Sequence, residues 1–498
     1  MTVVQNFPFI SIMLYLAGGV TCCVLKPKAS RWVCLLLNVL ITVLMAATLA
    51  YTLQSGKSYV YWMGHFPAPW GNEIRIGPLE ALMGTAFPLV MTLTLLGGMD
   101  HIFEDVESDK INLYFTVVSL LMVSMLALIF TNDLFTAYVF VEINTIASCA
   151  LVMLKYKSGR ALVATTRYLI MSLLGSGLFL IGIIILYNIT GHLLMEPMGE
   201  KIRELGESGN YAFPLTVTVG LFAVGLALKS ALWPFSAWLP DAHASATASS
   251  SGILSGLVIK SYIILLVKIF SRILGMGVVL SSGITDVLFL FSIGAMVFAS
   301  VYALRERDIK RLLAYSSVAQ VGYIFAGIGL GSEAGFAAAC VQILVHAVTK
   351  PMLFCAAGGL MSVSGGSRQF DDLKGSAFRD PLAGAAFLIG ALSMIGIPLF
   401  AGFTTKLVLT RACLSMGGWK CVVLLAAIVI STILNALYYI PALSVLYSRS
   451  GRETESGRTH PDLFFLLAIP AFIVLNFFLG VCSDRITDII HIGLAVFR

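Results

Sequence analysis

The 498-residue sequence contains little charge, because Asp, Glu, Lys and Arg together make up 12% of it. That share is about half of the usual value for a soluble domain. Hydrophobic residues make up 58%, so a soluble chain of this length would lack the polar side chains needed to cover its surface. The composition excludes an ordinary cytosolic enzyme, a nucleic-acid-binding protein and a disordered chain. It predicts a polytopic membrane protein.

The sequence also lacks the motifs that hold cofactors. None of the nine cysteines forms a CxxC pair, and the seven histidines form no HExxH motif, so we expect no metal site in this chain. No glycine-rich nucleotide-binding motif is present, and we therefore expect no cofactor. No basic residue precedes the first apolar run, which indicates a retained membrane span and not a signal peptide.

Apolar runs of membrane-spanning length recur along the whole chain, and no linker divides them. A spanning helix needs roughly 20 apolar residues. The predicted architecture is an all-α polytopic membrane protein of about fourteen transmembrane helices in a single domain, 1–498. We number the runs as spans 1 to 14, at 8–25, 31–53, 79–98, 111–130, 132–154, 163–189, 212–232, 249–271, 280–303, 310–330, 333–361, 381–415, 420–447 and 462–482.

Loop charges predict the orientation. The odd-numbered loops contain eighteen Lys and Arg residues, whereas the even-numbered loops and the tail contain ten. Positive residues concentrate on the cytoplasmic side, so both termini are predicted to face outward, with the chain in a prokaryotic cell membrane. Between spans 2 and 3, the stretch 64–77 is too polar to cross and is expected over the membrane surface. The loop 191–211 is expected to form a short surface helix.

Five ionisable residues lie deep in the apolar runs or at a break in one: Lys229, Lys260, Lys350, Lys406 and Glu142. A charge at this depth costs on the order of 3 kcal/mol on insertion scales. Four lysines cannot all be matched by one glutamate, so the alternative of static pairs that fix helix packing does not account for them. A buried lysine can exchange a proton near neutral pH, and the set therefore indicates stations for protons.

Glu142 and Lys229 are predicted to form a pair in which each charge controls the protonation of the other. His346 lies four residues before Lys350, on the same helix face, and is a further candidate station. His243, next to Asp241, is another. Charged residues near span ends are interpreted as interfacial: Asp133, Glu80 and Asp286.

Two spans contain helix breakers next to a lysine. Pro234 follows Lys229 in span 7, and Pro398 with Gly402 precedes Lys406 in span 12. Interrupted spans at corresponding places indicate inverted repeats around a transport site. The breaks lie five spans apart, and an odd number of helices inverts the topology. The predicted repeats are 111–271, spans 4–8, and 280–447, spans 9–13. A kink that serves packing alone is the alternative for either break.

Several segments resemble the antiporter-like subunit family shared by respiratory complex I, Mrp-type cation/proton antiporters and membrane-bound hydrogenases. They are VFVEINTIASCALV, KSALWPFSAWLPDAHASATASSSGILSGLVIK, LRERDIKRLLAYSSVAQVGYI, HAVTKPMLFCAAG, GGSRQFDDLKG and GIPLFAGFTTKLVL. The resemblance covers spans 3 to 13 and implies fourteen helices with two inverted five-helix repeats. It implies translocation roles for Glu142, Lys229, Lys260, His346, Lys350 and Lys406. The segments GHFPAPWGNEIRIG and SSVAQVGYI are more similar to Mrp-type and hydrogenase subunits than to quinone-reducing ones. Some members of the family carry histidine at the positions that Gln320 and Gln342 occupy in this sequence.

The resulting hypothesis is a proton-translocating membrane subunit of a larger assembly, with sodium/proton exchange kept open. Its expected partners are other membrane subunits, redox subunits with iron–sulfur clusters among them, and the lipid bilayer, but no nucleic acid. The chain itself contains no redox chemistry, and the sequence leaves open whether a redox reaction or an ion gradient drives it. The alternatives are a self-standing cation/proton antiporter and a structural membrane scaffold.

Overall fold

A computed structural model describes residues 3–67, 70–155, 159–208, 211–448 and 462–496. Five of the cations counted for the orientation lie outside these ranges: Lys157, Arg449, Arg452, Arg458 and Arg498. The architecture is helical, and it confirms the predicted fold class. Among the described residues, thirteen helices are long and apolar enough to cross a membrane, and span 12 adds a shorter pair.

The helices follow the predicted spans in order. Span 8 contains two π-helical stretches, Leu254–Val258 and Ile269–Leu274, and span 9 contains one, Ala295–Ala299. Spans 1 to 14 are Phe7–Val24, Pro27–Ser55, Pro78–Gly97, Ile111–Phe130, Leu134–Met153, Gly159–Thr190, Ala212–Lys229, Ala248–Ser281, Ile284–Arg305, Ile309–Gly329, Glu333–Ser362, Pro381–Ile395 with Ala401–Met416, Gly418–Leu446 and Leu463–Val481.

Short elements connect the spans. Strands β1, Tyr59–Trp62, and β2, Glu73–Ile76, form an antiparallel pair with Tyr59 opposite Ile76. This hairpin occupies much of the polar stretch between spans 2 and 3. The predicted surface helix of the 191–211 loop is confirmed as Met195–Ser208. The other short helices are Val3–Asn6, Met63–His65, Met99–Asp105, Phe235–Trp238, Leu239–Ser245, Ser376–Arg379 and Ser483–Ala495.

Spans 10 and 11 form the centre of the molecule. The most apolar part of span 11 is completely buried, and that of span 10 is nearly so. In spans 2, 13 and 14, only about one-third of the corresponding residues are buried. Glycines bring the central pair together, because a Cβ on Gly335 would lie 2.3 Å from the Gly327 carbonyl oxygen. Small residues allow such close helix contact in membranes. His346 and Lys350 therefore lie at the centre.

Both predicted helix breaks are present. Span 7 ends at Lys229, and the chain then continues through a 3₁₀ turn. Span 12 is interrupted between Ile395 and Ala401. Each break contains a non-glycine residue with positive φ, Ala231 at 55° and Leu399 at 86°, a conformation that such residues seldom adopt. The repeats 111–271 and 280–447 stay a prediction.

Candidate functional site

Lys229 is the last helical residue before the first break, and its side chain is fully buried. Its Nζ donates a hydrogen bond of 2.7 Å to the Thr145 hydroxyl of span 5. That hydroxyl donates in turn to the Val141 carbonyl oxygen at 2.9 Å. The Tyr262 ring centroid lies 5.3 Å from the amine. The ammonium is therefore held by a neutral hydroxyl and an aromatic ring.

Glu142, the predicted partner of Lys229, lies one helical turn from this contact and does not form it. Among the described residues, no basic nitrogen lies within 4.0 Å of its carboxylate. Its Oε1 atom is buried and has no hydrogen-bond partner among the residues that the structure describes. The charge of Glu142 still acts on Lys229 electrostatically. The structure thus places the two close together, with Thr145 as the direct contact of the lysine.

Lys260 lies in span 8 directly after the π-helical stretch Leu254–Val258. A π-bulge releases backbone carbonyls from regular helix pairing and is frequent at functional sites. The Lys260 Nζ donates to one of them, the Ser255 carbonyl oxygen. The Ser255 hydroxyl lies 2.8 Å from the Ser317 hydroxyl of span 10. Polar groups therefore join span 8 to the centre of the molecule.

Lys350 lies at the centre of a second polar cluster, between spans 10, 11 and 13. Its Nζ donates to a backbone carbonyl of span 10 at 3.1 Å and to the Tyr439 hydroxyl at 3.4 Å. The Tyr439 and Ser316 hydroxyls are 2.9 Å apart. The Tyr438 hydroxyl donates to the Asn435 Oδ1 atom at 2.8 Å and lies 3.1 Å from the Ser316 hydroxyl. These hydroxyls form a continuous chain that leads away from the lysine.

His243 and His346 are fully buried near the lysines. The charges of Lys260 and Lys350 act on both imidazoles. The Asp241 side chain, next to His243 in sequence, binds Arg167 and Arg311. Within the described residues, no ring nitrogen of either histidine has a hydrogen-bond partner. Buried polar atoms are rarely left unpaired, so these nitrogens are candidates to bind water or a proton.

Lys406 follows the second break. Its Nζ donates to the Ile395 carbonyl oxygen, at the last residue before the break, and to the Thr432 hydroxyl at 2.8 Å. The Tyr323 ring centroid lies 5.6 Å away. Gly402 allows the second half of the span to begin here, since a Cβ at that position would lie 1.7 Å from the Ser393 carbonyl oxygen. The break therefore provides the lysine with a carbonyl that a continuous helix would have used.

Gln320 and Gln342 form a polar contact at the centre of the molecule. Gln342 Nε2 donates to Gln320 Oε1 at 2.7 Å, and both side chains are buried between spans 10 and 11. An amide pair cannot gain or lose a proton near neutral pH. At this position the chain therefore has a fixed polar contact and not a titratable one.

Sequence reasoning missed several buried charges by assigning them to loops or to the interface. Glu80, interpreted as interfacial, is buried and binds Arg272 at 2.9 Å. Lys268 is fully buried inside span 8 and donates to the Ile129 and Thr131 carbonyl oxygens at 2.8 and 2.6 Å. Lys310, counted as a loop cation, is 2% exposed. The available signal was their position inside the apolar runs, within a few residues of an end of the run.

Two broken spans beside buried lysines, within a bundle of about fourteen, define a class: antiporter-like subunits of membrane assemblies. The chain belongs to the NADH:quinone oxidoreductase/Mrp antiporter transmembrane family, whose model matches residues 131–432. The match covers spans 5 to 12 and part of span 13, including both breaks and every candidate station from Glu142 to Lys406.

Individual relatives agree with this assignment. NADH-quinone oxidoreductase subunit N of Desulforudis audaxviator is 33% identical over 437 residues, covering 86% of this chain and 84% of the relative. A Na⁺/H⁺ antiporter subunit of Alkalihalophilus pseudofirmus is 27% identical over 450 residues, covering 89% and 87%. These relatives come from two branches of the family, and the assignment to the Mrp-type and hydrogenase branch stays a prediction.

Solved structures have the same fold. A chain of the membrane-bound sulfane sulfur reductase, an archaeal respiratory membrane complex, superposes with a TM-score of 0.86 at 25% identity and covers 100% of this chain and 98% of its own. A chain of the Mrp complex from Dietzia sp. superposes with a TM-score of 0.87 at 22% identity, covering 99% and 97%. The protein is therefore a multi-pass membrane subunit of the antiporter-like type.

Proposed function

We propose that this subunit moves protons along the series Glu142, Lys229, Lys260, His346, Lys350 and Lys406. One observation carries the proposal: each of the four lysines is buried and donates only to neutral carbonyl or hydroxyl oxygens among the described residues. A buried ammonium without a counter-ion is costly. Its charged and neutral forms are therefore closer in free energy than in water, as proton exchange requires.

Protons fit this series better than sodium does. Sodium prefers carboxylate and carbonyl ligands, and Glu142 is the one carboxylate of the proposed series. The carbonyl oxygens of Ser255 and Ile395 are already occupied by Lys260 and Lys406. Lysines transfer protons and repel metal cations, so exchange of sodium for protons is the second candidate. Carbonyls at the two helix breaks are the groups that favour it.

The proposed setting is a multisubunit membrane complex in a prokaryotic cell membrane, with both termini outside. The relatives are named as subunits of an NADH-quinone oxidoreductase and of a Na⁺/H⁺ antiporter. By analogy, we expect further membrane subunits as partners, and redox subunits with iron–sulfur clusters if the assembly is respiratory. We expect this chain itself to hold no cofactor, so the driving reaction or gradient is supplied elsewhere.

The direct test is Lys229→Ala in the intact complex, reconstituted in vesicles with a pH-sensitive dye. We expect loss of proton movement with unchanged assembly, because the variant removes the amine beside the first break. Lys201→Ala is the matched control, since this lysine is on the surface helix and pairs with Glu204 at 2.7 Å. Wild-type proton movement by the Lys229 variant would contradict the proposal.

A second measurement separates the subunit from a self-standing antiporter. The purified chain alone in liposomes is expected to insert without coupled exchange. Robust sodium-driven proton movement by the chain alone would favour the self-standing antiporter instead.

A further inference from the structure

A charged cavity of about 550 Å³ opens between spans 6 and 10 and the loops that flank them. It lies on the side that the loop charges assign to the cytoplasm. Its lining includes five arginines, Arg160, Arg167, Arg307, Arg311 and Arg368, and three acids, Asp241, Glu306 and Asp308. A cavity with such a polar lining holds water. None of the candidate stations described above lines it, so the cavity has no role in the proposed series.

Ion pairs organise the cavity wall. Asp241 accepts from Arg167 and Arg311, both at 2.8 Å. Arg368 lies 3.3 Å from Asp308 and also donates to the Ala244 carbonyl oxygen. Arg311 also lies 3.2 Å from Glu306. Three acids thus neutralise three of the five arginines, which lowers the electrostatic barrier to a proton. The short helix Leu239–Ser245 contributes Asp241, Ala244 and Ser245 to the lining of the cavity.

Lys310 lies directly behind this wall. Its side chain is buried, although its neighbours in sequence, Asp308 and Arg311, line the cavity. The Nζ atom donates to the Ala246 carbonyl oxygen at 2.5 Å and reaches the Thr247 carbonyl at 3.4 Å. Like the four stations, Lys310 has no carboxylate within 4.0 Å of its amine among the described residues.

Other charged groups surround Lys310 at longer range. The Lys155–Asp105 ion pair, 2.7 Å long, acts on it from the loops after spans 5 and 3, and Asp308 and Arg368 act on it from the cavity side. On the other side, the carbonyl that Lys310 binds belongs to Ala246, which directly follows the short helix that contains His243. The charge of Lys310 acts on that imidazole. Lys310 therefore stands between a solvent-accessible cavity and an imidazole whose ring nitrogens lack partners in the described structure.

We propose that the cavity is the aqueous inlet for protons and that Lys310 is the first station behind it, passing its proton to His243. The inference rests on the proton translocation proposed above. Protonated Lys310 transfers one proton to a ring nitrogen of His243. The neutral amine then takes a proton from a hydronium ion that enters the cavity from the adjoining solution, which leaves a neutral water molecule. The imidazolium passes its proton on towards Lys260 and Lys350. No bond other than N–H is broken or formed, and no electron moves.

Two substitutions separate proton transfer from a structural role. Lys310→Arg retains the charge and a donor for the Ala246 carbonyl, but a guanidinium does not release its proton in proteins. Lys310→Gln retains a donor without the charge. We expect both variants to lower proton movement by the intact complex at least tenfold, with wild-type assembly. The control is Lys374→Ala, which removes an exposed lysine outside the cavity lining.

The outcomes are distinguishable. Wild-type transport by Lys310→Arg would overturn the inference, because a fixed charge would then suffice. If Lys310→Arg and Lys229→Ala both transport normally, the proposed function fails as well. If only Lys229→Ala is inactive, the function stands and the inlet lies elsewhere.

Access to the cavity is measured independently of transport. Ser245→Cys places a thiol in the lining of the cavity. We expect a membrane-impermeant thiol reagent to label it from the cytoplasmic side and to slow transport severalfold. Wild-type protein treated in parallel corrects for its native cysteines. Absence of labelling, or labelling only from the opposite side, would overturn the assignment of the cavity as an inlet.

Discussion

The contact between Lys229 and Thr145 gives the sharpest test of the proposed route. Thr145→Val replaces the hydroxyl by a methyl group of similar volume, so the packing of span 5 against span 7 is retained. The Lys229 Nζ loses its 2.7 Å hydrogen bond. A hydrogen bond to a charged group contributes about 1.5–3 kcal/mol. Since every 1.4 kcal/mol corresponds to a factor of ten, we expect proton movement to fall by about 10-fold to 100-fold.

The assay is dye-monitored proton uptake by vesicles that contain the intact complex, with the amount of assembled complex measured in parallel. Thr145→Ser retains the hydroxyl and is expected to transport close to the wild-type rate. Thr218→Val is the matched control. Thr218 is equally buried, in span 7, and like Thr145 it donates to a carbonyl oxygen of its own helix, but among the described residues it accepts no hydrogen bond from a lysine. Equal transport by the Val and Ser variants at position 145 would refute a role for this hydroxyl.

Three further predictions use the same complex. Glu142→Gln is expected to slow transport and to change its pH dependence, while Glu142→Asp has a smaller effect; an unchanged pH profile in the Gln variant argues against electrostatic control of Lys229. Lys350→Ala and Lys406→Ala are each expected to block net transport but not local proton exchange at Lys229, and normal pumping by both would disprove the distal route. Glu80→Gln is expected to destabilise the chain by about 3–5 kcal/mol, because it leaves Arg272 buried beside a neutral amide. Thermal unfolding in detergent measures this, and an unchanged midpoint would show that the ion pair contributes little.

The number of spans and the positions of the helix breaks could be predicted from the sequence. Hydropathy over about 20 residues is a local property, and a span must be apolar because the bilayer cannot hydrogen-bond to it. Pro234 and Pro398 remove backbone donors and so favour the breaks in spans 7 and 12. Proline alone does not decide the outcome, because spans 3, 11, 13 and 14 each contain a proline and stay continuous. Lys229, Lys260, Lys350 and Lys406 could be recognised as buried before any contact was known, because the apolar residues on either side of each are visible in the sequence.

The partners of these charges were decided by tertiary structure. Lys229 binds Thr145 and not Glu142, although both acceptors are in span 5 and only three residues apart. The choice depends on the rotation of span 5 against span 7, which side-chain packing fixes and hydropathy does not encode.

Charges at span ends show the same limit more clearly. Glu80 and Arg272 are 192 residues apart in sequence, yet they meet at 2.9 Å inside the protein. Lys310 is buried because the carbonyl oxygens of Ala246 and Thr247, 64 and 63 residues away, accept from its amine. Whether a terminal charge of a span faces water or protein depends on which distant helix covers it. Its burial is therefore a property of the assembled bundle, whereas the burial of a charge in the middle of a span follows from the apolar residues on either side.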